Sequence, residues 1–217
     1  MNLLIIRHGE TPLNVARVLQ PPDTPLSLRG QAQASALASR LQAWRDGGAL
    51  AGIVSSDLPR ALQTAQAVAR ATGLALQTTA LLHERNFGEL RGQRYDSLDY
   101  DPLQAEHAPP GGESQSQFSA RCTQAWAWVL AQQALLGGPL AVVTHGLVIR
   151  EWLQRGPLTV PADLVLTAGL ANTSLTLASA TAPHRVSLVD CVAHLQAGQA
   201  AGQAAGPGVD RQSLSGG

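Results

Sequence analysis

The apolar and polar positions along the chain predict strands and helices in alternation. Compact aliphatic runs bounded by polar or turn residues are typical of buried strands. Five strands are expected on this basis, at residues 3–6, 51–54, 139–144, 173–178 and 186–192. Apolar residues at helical spacing and helix-end signals predict helices over residues 28–45, 57–71 and 114–136 and from about residue 147. Such alternation is typical of a layered α/β domain.

Glycines and one aspartate indicate where the elements end. Gly47 and Gly48 are expected to stop the helix over residues 28–45, whereas Asp57 is expected to cap the next helix and Gly73 to close it. Residues 86–113 are rich in Gly, Pro, Asp and Glu and predict a loop or a short helical excursion over the site.

The domain prediction divides the chain near its carboxyl end. A single catalytic domain is expected over residues 1–195. Residues 196–217 consist largely of Ala, Gly, Gln and Ser, which provide little apolar bulk to bury. A disordered tail without a catalytic role is therefore expected there.

Composition narrows the possible functions. The chain has 217 residues, 45% of them hydrophobic, and its 15 basic and 15 acidic residues give a formal net charge of zero. Neither a nucleic acid nor a membrane surface is expected as a partner, because there is no global basic field. Cys122 and Cys191 form no CxxC pair, so neither a zinc site nor a disulfide framework is expected. The composition gives no indication of an oligomeric state.

The N-terminus and the apolar runs bear on location. Met1 leads directly into a short apolar run without a basic leader, so no signal peptide is expected. No uninterrupted apolar stretch is long enough to span a bilayer. A reduced, cytoplasmic protein is the simplest expectation.

Two of the expected strands end in nearly the same tripeptide. Residues 7–9 read Arg-His-Gly and residues 144–146 read Thr-His-Gly. In open α/β sheets ligands bind beyond the carboxyl ends of the strands. Both His-Gly pairs are therefore expected at one edge of the sheet, where a ligand would bind.

The residues near these strand ends suit phosphate-ester chemistry. Such a reaction needs positive charge on the phosphate oxygens, a nucleophile in line with phosphorus and a proton for the leaving oxygen. Arg7 and Arg60 can bind phosphate oxygens, and His8 can attack if a backbone acceptor holds its other ring nitrogen. Glu84 precedes a glycine-punctuated loop and can serve as the acid, and His145 can stabilise the transferring group.

Each of these residues also has a commoner structural explanation. Arg-His-Gly alone can be merely a strand end, since a tripeptide match is weak. A single helix arginine such as Arg60 is usually solvated, and a histidine after a strand such as His145 is usually a satisfied structural group. Their joint occurrence favours the chemical interpretation.

Together these segments resemble the histidine phosphatase superfamily, which has the phosphoglycerate mutase-like fold. The resemblance runs from residue 3 to about residue 176 and rests on the order of seven short motifs. They are residues 7–11 with Asn14, 23–27 with Gly30, 55–65, Glu84 with Phe87 and Gly88, 111–114, 144–146 and 172–174. It implies a three-layer α/β/α fold with a mostly parallel central sheet.

The resemblance also implies a role for each matching residue. His8 would become phosphorylated, and Glu84 would protonate the leaving oxygen and then activate water. The phosphate pocket would be lined by Arg7, Arg60, Asn14 and His145, with a minor contact from Thr11. Neither a metal nor an organic cofactor is implied, because arginines and histidines supply the positive charge. The implied substrate is a small phosphorylated metabolite.

Departures from the family pattern favour its phosphatase branch. Asn86 and Phe87 stand where mutases usually carry His-Tyr, and Leu147 stands where they carry asparagine. A phosphoglycerate mutase with the same phosphohistidine is the alternative enzyme, and a non-catalytic phospho-ligand binding module is a third possibility. The substrate itself stays open, because specificity is expected to lie in residues 15–25, which include an unusual Pro21-Pro22 pair, and in residues 86–113.

Overall fold

The computed structural model describes residues 2–46, 48–166 and 169–196, and a six-stranded sheet lies at its centre. The strands are β1 (Asn2–Arg7), β2 (Gly52–Ser55), β3 (Leu76–Thr78), β4 (Leu140–Thr144), β5 (Leu175–Ser179) and β6 (Val186–Cys191). The α-helices are α1 (Pro12–Val15), α2 (Leu28–Gln42), α3 (Pro59–Thr72), α4 (Gln115–Leu136) and α5 (Gly146–Gln154). Three short 3₁₀ helices cover Ala80–Leu82, Gly88–Leu90 and Tyr95–Ser97.

The strand order of the sheet is β3-β2-β4-β1-β5-β6. β1 and β2 both pair in parallel with β4, and β3 pairs in parallel with β2. β5 runs antiparallel to β1 and β6 antiparallel to β5. The prediction of a mostly parallel sheet is therefore confirmed, with an antiparallel pair added at one edge.

Helices cover both faces of the sheet because successive strand residues point to opposite sides. Leu3 and Ile5 of β1 join the core cluster that contains residues of α4 and α5. Leu4 and Ile6, which alternate with them, join the cluster that contains residues of α2 and α3. All four side chains are fully buried, which explains why β1 reads as a continuous aliphatic run. The expected three-layer α/β/α arrangement is confirmed.

Most of the expected elements form close to their predicted bounds, and the differences have local causes. α2 ends at Gln42 with Ala43 as its C-cap, whereas the prediction extended it to residue 45. The indole of Trp44, in the turn that follows, donates to the carbonyl of Asp46 at 3.0 Å. Gly47, one of the two glycines expected to stop this helix, lies outside the described residues.

The predicted cap of α3 was wrong. The helix begins at Pro59 with Leu58 as the N-cap and without a side-chain capping bond. Proline fixes φ and lacks an N–H, so it is well suited to the first helical position and moves the helix start beyond Asp57. The carboxylate of Asp57 instead contacts Nε2 of His83. Gly73 closes the helix in a left-handed conformation with φ of 71°, as predicted.

β3 was not predicted because it carries little apolar pattern. Its sequence is Leu-Gln-Thr, and two of these three residues are exposed at the sheet edge. Residues 86–113 form an irregular segment with two short 3₁₀ helices, in agreement with the prediction. The predicted tail falls outside the described residues except for residue 196, so the domain boundary stays a prediction. Within the described ranges, no helix is long and apolar enough to cross a membrane.

Candidate active site

The two His-Gly pairs lie side by side at the carboxyl ends of β1 and β4. The parallel register aligns Arg7 with Thr144, and the amide of His8 donates to the Thr144 carbonyl at 2.9 Å. The imidazoles that follow are in contact, with the ring centroids of His8 and His145 5.1 Å apart. The expected convergence of the two histidines therefore follows from strand pairing.

The backbone of the turn after β1 orients the ring of His8. Nδ1 of His8 lies 2.7 Å from the carbonyl oxygen of Gly9, an acceptor that requires a proton on Nδ1. Nε2 then carries the free lone pair that a nucleophile needs. The turn depends on glycine, because a Cβ at Gly9 would lie 2.7 Å from the Gly30 carbonyl oxygen.

Both arginines predicted for the site reach it from secondary-structure ends. Arg7 is the last residue of β1 and donates to the carbonyl of Leu170. Arg60 lies in the first turn of α3, where Nη1 is 3.4 Å from the carbonyl of Pro21. Burial lowers the pKa of both guanidiniums, that of Arg60 to about 10, so Arg60 keeps its charge at neutral pH. The Pro21-Pro22 pair is part of this wall, since Pro22 also lines the cavity.

Ser56 holds the ring of His145 from behind. Nε2 of His145 lies 2.9 Å from Oγ of Ser56, and this oxygen also accepts from the amide of Leu58 at 3.2 Å. If His145 donated this bond, the buried Ser56 hydroxyl would have no acceptor for its own proton among the bonds that the structure describes. Ser56 is therefore the donor, and the proton of His145 resides on Nδ1. Ser56 lies in the motif over residues 55–65, but no local pattern in the sequence indicates this role.

Both imidazoles are held neutral. Burial lowers the pKa of His8 well below its ordinary value, and the charges of Arg60 and Arg7 lower it further. Burial likewise lowers the pKa of His145, and the positive charge of Arg60 is the next largest cause. A neutral His8 can donate its lone pair without first losing a proton.

Glu84 faces the same cavity and is oriented by two backbone amides. Its Oε1 accepts from the amide of Arg85 at 3.1 Å, and its Oε2 accepts from the amide of Leu147 at 3.2 Å. Burial raises the pKa of this carboxyl, although those hydrogen bonds and both arginines oppose the shift. A raised pKa keeps a proton available for a leaving group.

Asn14 and Thr11 have different environments. The side-chain oxygen of Asn14 lies within 3.0–3.3 Å of three donors, which are the Thr11 backbone amide, the Thr11 hydroxyl and the side-chain Nδ2 of Asn172. This set of contacts leaves the NH2 group of Asn14 for a ligand in the cavity. Thr11 is buried, caps α1 and does not line the cavity, so its predicted substrate contact stays a prediction.

A cavity of about 690 Å³ joins the predicted residues. Arg7, His8, Asn14, Arg60 and Glu84 all line it, and His145 lies buried behind His8. Other lining residues, between 17 and 22 and between 87 and 103, belong to the segments 15–25 and 86–113, which were expected to set specificity. Across the described ranges, no group of three or more His, Cys, Asp or Glu side chains could hold a metal ion.

Three buried nitrogens of this cluster lack hydrogen-bond partners. They are Nε of Arg7, Nε of Arg60 and Nδ1 of His145, and only Trp126 Nε1 shares this condition in the described part of the chain. An unpaired buried donor is costly, and native proteins rarely keep one without a reason. Three unpaired donors on the residues that surround His8 indicate a site that hydrogen-bonds an anion.

Comparison with known proteins agrees with this geometry. The family model described as histidine phosphatase superfamily (branch 1) matches residues 3–189. A glucosyl-3-phosphoglycerate phosphatase of Mycobacterium tuberculosis is 33% identical over 190 residues, which covers 80% of this chain and 83% of the relative. A probable phosphoglycerate mutase of Yersinia pestis is 35% identical over 185 residues, covering 81% and 83%.

Solved structures show the same fold. The mycobacterial glucosyl-3-phosphoglycerate phosphatase in complex with inorganic phosphate superposes with a TM-score of 0.70 at 30% identity. The match covers 89% of this chain and 98% of that one. The protein therefore belongs to the histidine phosphatase superfamily, as a phosphatase-type enzyme with the phosphoglycerate mutase-like fold.

Proposed function

We propose that this protein hydrolyses phosphate monoesters of small metabolites through a phosphohistidine on His8, without a metal ion. The observation that carries the proposal is the set of three unpaired donors on Arg7, Arg60 and His145 beside His8. A phosphoryl group offers these donors the oxygen acceptors that they lack. Fixed donors of this kind also stabilise the charge that develops during phosphoryl transfer.

In the first step His8 attacks the phosphorus atom with the lone pair of Nε2. A bond forms between Nε2 and phosphorus while the bond from phosphorus to the ester oxygen breaks. Glu84 transfers its proton to that oxygen, and the alcohol leaves. The Gly9 carbonyl keeps the proton on Nδ1 and stabilises the positive charge that the ring acquires, through the 2.7 Å hydrogen bond.

In the second step water replaces the alcohol. The Glu84 carboxylate takes a proton from water as the water oxygen bonds to phosphorus, and the phosphorus–nitrogen bond breaks. Inorganic phosphate leaves, His8 returns to its neutral form and Glu84 is again protonated. The raised pKa of Glu84 supports both halves of this cycle, since the acid of one step is the base of the next.

The named relatives support a small phosphorylated metabolite as substrate. One acts on glucosyl-3-phosphoglycerate by its name, and another is described as a probable phosphoglycerate mutase. The cavity of about 690 Å³ lies in the range of roughly 300–1,000 Å³ that is typical for small organic ligands. A cytoplasmic location belongs to the same proposal, because Cys122 and Cys191 are free thiols of the kind found in reducing compartments.

The test uses the full chain, a chromogenic phosphomonoester and a metal chelator. Wild-type protein should release phosphate in chelator, and acid quenching should destroy a labile phosphoryl group that neutral or alkaline quenching preserves on the protein. His8→Ala should lose both turnover and trapped phosphate, whereas His107→Ala, at an exposed position, should keep both. A fully active His8→Ala variant, or a wild-type protein that is inactive in chelator and recovers with a divalent metal, would contradict the proposal.

Product analysis separates hydrolysis from mutase activity. Phosphoglycerate is supplied as substrate, and phosphate release and isomerisation are measured in the same reaction. Phosphate release should predominate, because the open cavity gives water access to the phosphohistidine. Rapid isomerisation with negligible phosphate release would assign the protein to the mutase branch.

A further inference from the structure

The cavity contains more positive charge than one phosphoryl group needs. Six arginines line it, against three acidic residues, and they are Arg7, Arg17, Arg60, Arg85, Arg91 and Arg150. Arg7 and Arg60 flank His8 and match the two negative charges of a phosphate monoester. The other four arginines line the same cavity.

Two of the three acidic residues are already engaged. The carboxylate of Asp96 accepts two hydrogen bonds from Arg94, at 2.8 and 2.7 Å. Asp101 accepts from the amide of Leu103 at 2.9 Å and from the Gln104 side chain at 3.2 Å, so it stabilises its own loop. The third acidic residue is Glu84, the proposed proton donor. The cavity therefore keeps an excess of positive charge.

Among the surplus arginines, Arg85 and Arg91 differ in their contacts. Arg85 is buried and donates to the Gln115 side chain at 3.1 Å and to the Ala105 carbonyl at 2.6 Å. Arg91 is half-buried, and its guanidinium makes no hydrogen bond or ion pair with any residue that the structure describes. Its charge is close enough to Arg60 to lower the pKa of that residue. Two like charges held near each other in one cavity favour an anion between or beside them.

A backbone pairing holds Arg91 and Arg17 in place. The amide of Leu19 donates to the Gln93 carbonyl at 2.9 Å, and the amide of Gly92 donates to the Leu19 carbonyl at 2.7 Å. The amide of Tyr95 donates to the carbonyl of Arg17 at 2.9 Å. Arg17 itself adopts a left-handed conformation with φ of 56°, which a non-glycine residue rarely holds without surrounding constraint. Both arginines are thus carried by a constrained wall of the cavity.

We propose that the substrate carries a second anionic group, a carboxylate or a second phosphate, and that Arg91 binds it, with Arg17 beside it on the same wall. This inference rests on the proposed phosphatase function and narrows its substrate class. A guanidinium can meet a carboxylate or phosphate with two parallel hydrogen bonds, whereas a neutral sugar or aryl group would leave Arg91 unpaired. Neither Arg91 nor the second anionic group takes part in the chemical step. Their interaction therefore affects which substrate is selected.

Matched substrates test the inference. The first pair is 3-phosphoglycerate and glycerol 3-phosphate, which differ only in a carboxylate in place of a hydroxymethyl group. The second pair is fructose 1,6-bisphosphate and fructose 6-phosphate, which tests a phosphate as the second anion. Wild-type protein should show a kcat/KM at least about tenfold higher for the more highly charged member of one pair, as expected for a charge-assisted hydrogen bond.

Variants of Arg91 assign the preference to this residue. Arg91→Gln should reduce the ratio of kcat/KM within that pair by about tenfold, chiefly through KM, and Arg91→Lys should restore part of it. Arg70→Gln removes the same charge from an exposed position of α3 outside the cavity and should keep the wild-type ratio. Equal melting temperatures would show that the variants are folded.

The outcomes for the inference and for the proposed function are distinct. A wild-type ratio near one in both pairs, or an Arg91→Gln ratio equal to that of wild type, would overturn the second-anion inference while phosphatase activity stands. Calorimetric binding of the same pairs to His8→Ala protein, with and without Arg91→Gln, decides the inference independently of turnover. Absence of turnover with every phosphomonoester would instead refute the proposed function.

Discussion

Replacement of Glu84 by glutamine tests the proposed acid most directly. The two side chains have the same shape, but glutamine has no proton that it can transfer to a leaving oxygen. Both carboxyl oxygens of Glu84 also accept hydrogen bonds from backbone amides, at 3.1 and 3.2 Å. Glutamine would lose one of these bonds, because its NH2 group cannot accept one. The variant therefore removes the proton and weakens the orientation of the side chain.

The size of the effect follows from the role of the proton. General acid catalysis contributes about 10²- to 10⁴-fold, or about 2.7–5.4 kcal/mol at 1.36 kcal/mol for each factor of ten. An alkyl phosphate needs the proton because an alkoxide is a poor leaving group, whereas p-nitrophenolate is stable as an anion. Glu84→Gln should thus lower kcat/KM, which reports the steps up to departure of the alcohol, by about a thousandfold with an alkyl phosphate and by much less with p-nitrophenyl phosphate. kcat should fall with both substrates, because both share the hydrolysis step in which Glu84 is the base.

The pH dependence provides a second measurement on the same variant. The reactive form has a neutral His8, whose pKa is lowered by burial, and a protonated Glu84, whose pKa is raised by burial. Wild-type kcat/KM should therefore fall as pH rises through the raised pKa of Glu84, above its ordinary value of 4.5. The decline should be absent in Glu84→Gln.

Stability should change with pH in the same direction. Because the folded protein holds the Glu84 proton more tightly than the unfolded chain does, the free energy of unfolding decreases as pH rises from 4.5 to the folded-state pKa. Glu84→Gln should lack this decrease in urea titrations at several pH values. The exposed Glu89→Gln is the matched control and should resemble wild type in every assay. Equal losses of kcat/KM with alkyl and aryl substrates, or a fall of kcat/KM at high pH that persists in Glu84→Gln, would contradict the role of Glu84 as the acid.

Two further changes test the supports of the site. Ser56→Ala removes the donor to Nε2 of His145 and should lower kcat by about tenfold, as expected for a hydrogen bond to a buried group. Ser55→Ala deletes a neighbouring buried hydroxyl that is not bonded to His145, and its kcat should fall less. Equal losses of kcat in both variants would show that Ser56 has no positioning role. Gly30→Ala puts a Cβ 2.0 Å from the Glu10 carbonyl oxygen, so urea unfolding should show a loss of about 1–3 kcal/mol. A gain in stability, which helix propensity alone predicts for alanine, would contradict the close contact.

Local patterns in the sequence determined the main elements and the positions of the residues proposed to react. The aliphatic run over residues 3–6 can be satisfied only by burial on both faces, so it specifies a central strand. Gly73 ends α3 because it tolerates a left-handed conformation at low cost. The repeated His-Gly strand ends then predict one shared edge, since parallel strands end on the same side of a sheet.

Local patterns were insufficient where a side chain chooses between partners distant in sequence. Asp57 is a good capping residue by type, yet its carboxylate contacts His83 and Pro59 sets the helix start. Ser56 and His145 are separated by 89 residues, so no local signal could reveal the hydrogen bond that fixes the histidine tautomer.

The substrate-facing walls were likewise decided by tertiary structure. Their irregular segments were identified from composition, but the charge that each presents depends on which arginines find partners. Arg85 donates its hydrogen bonds within the fold, whereas Arg91, six residues further along, faces the cavity without one in the described part of the chain. Hydrogen bonds and ion pairs form in three dimensions and compete for the same groups, so only the folded chain determines which charges remain for a ligand.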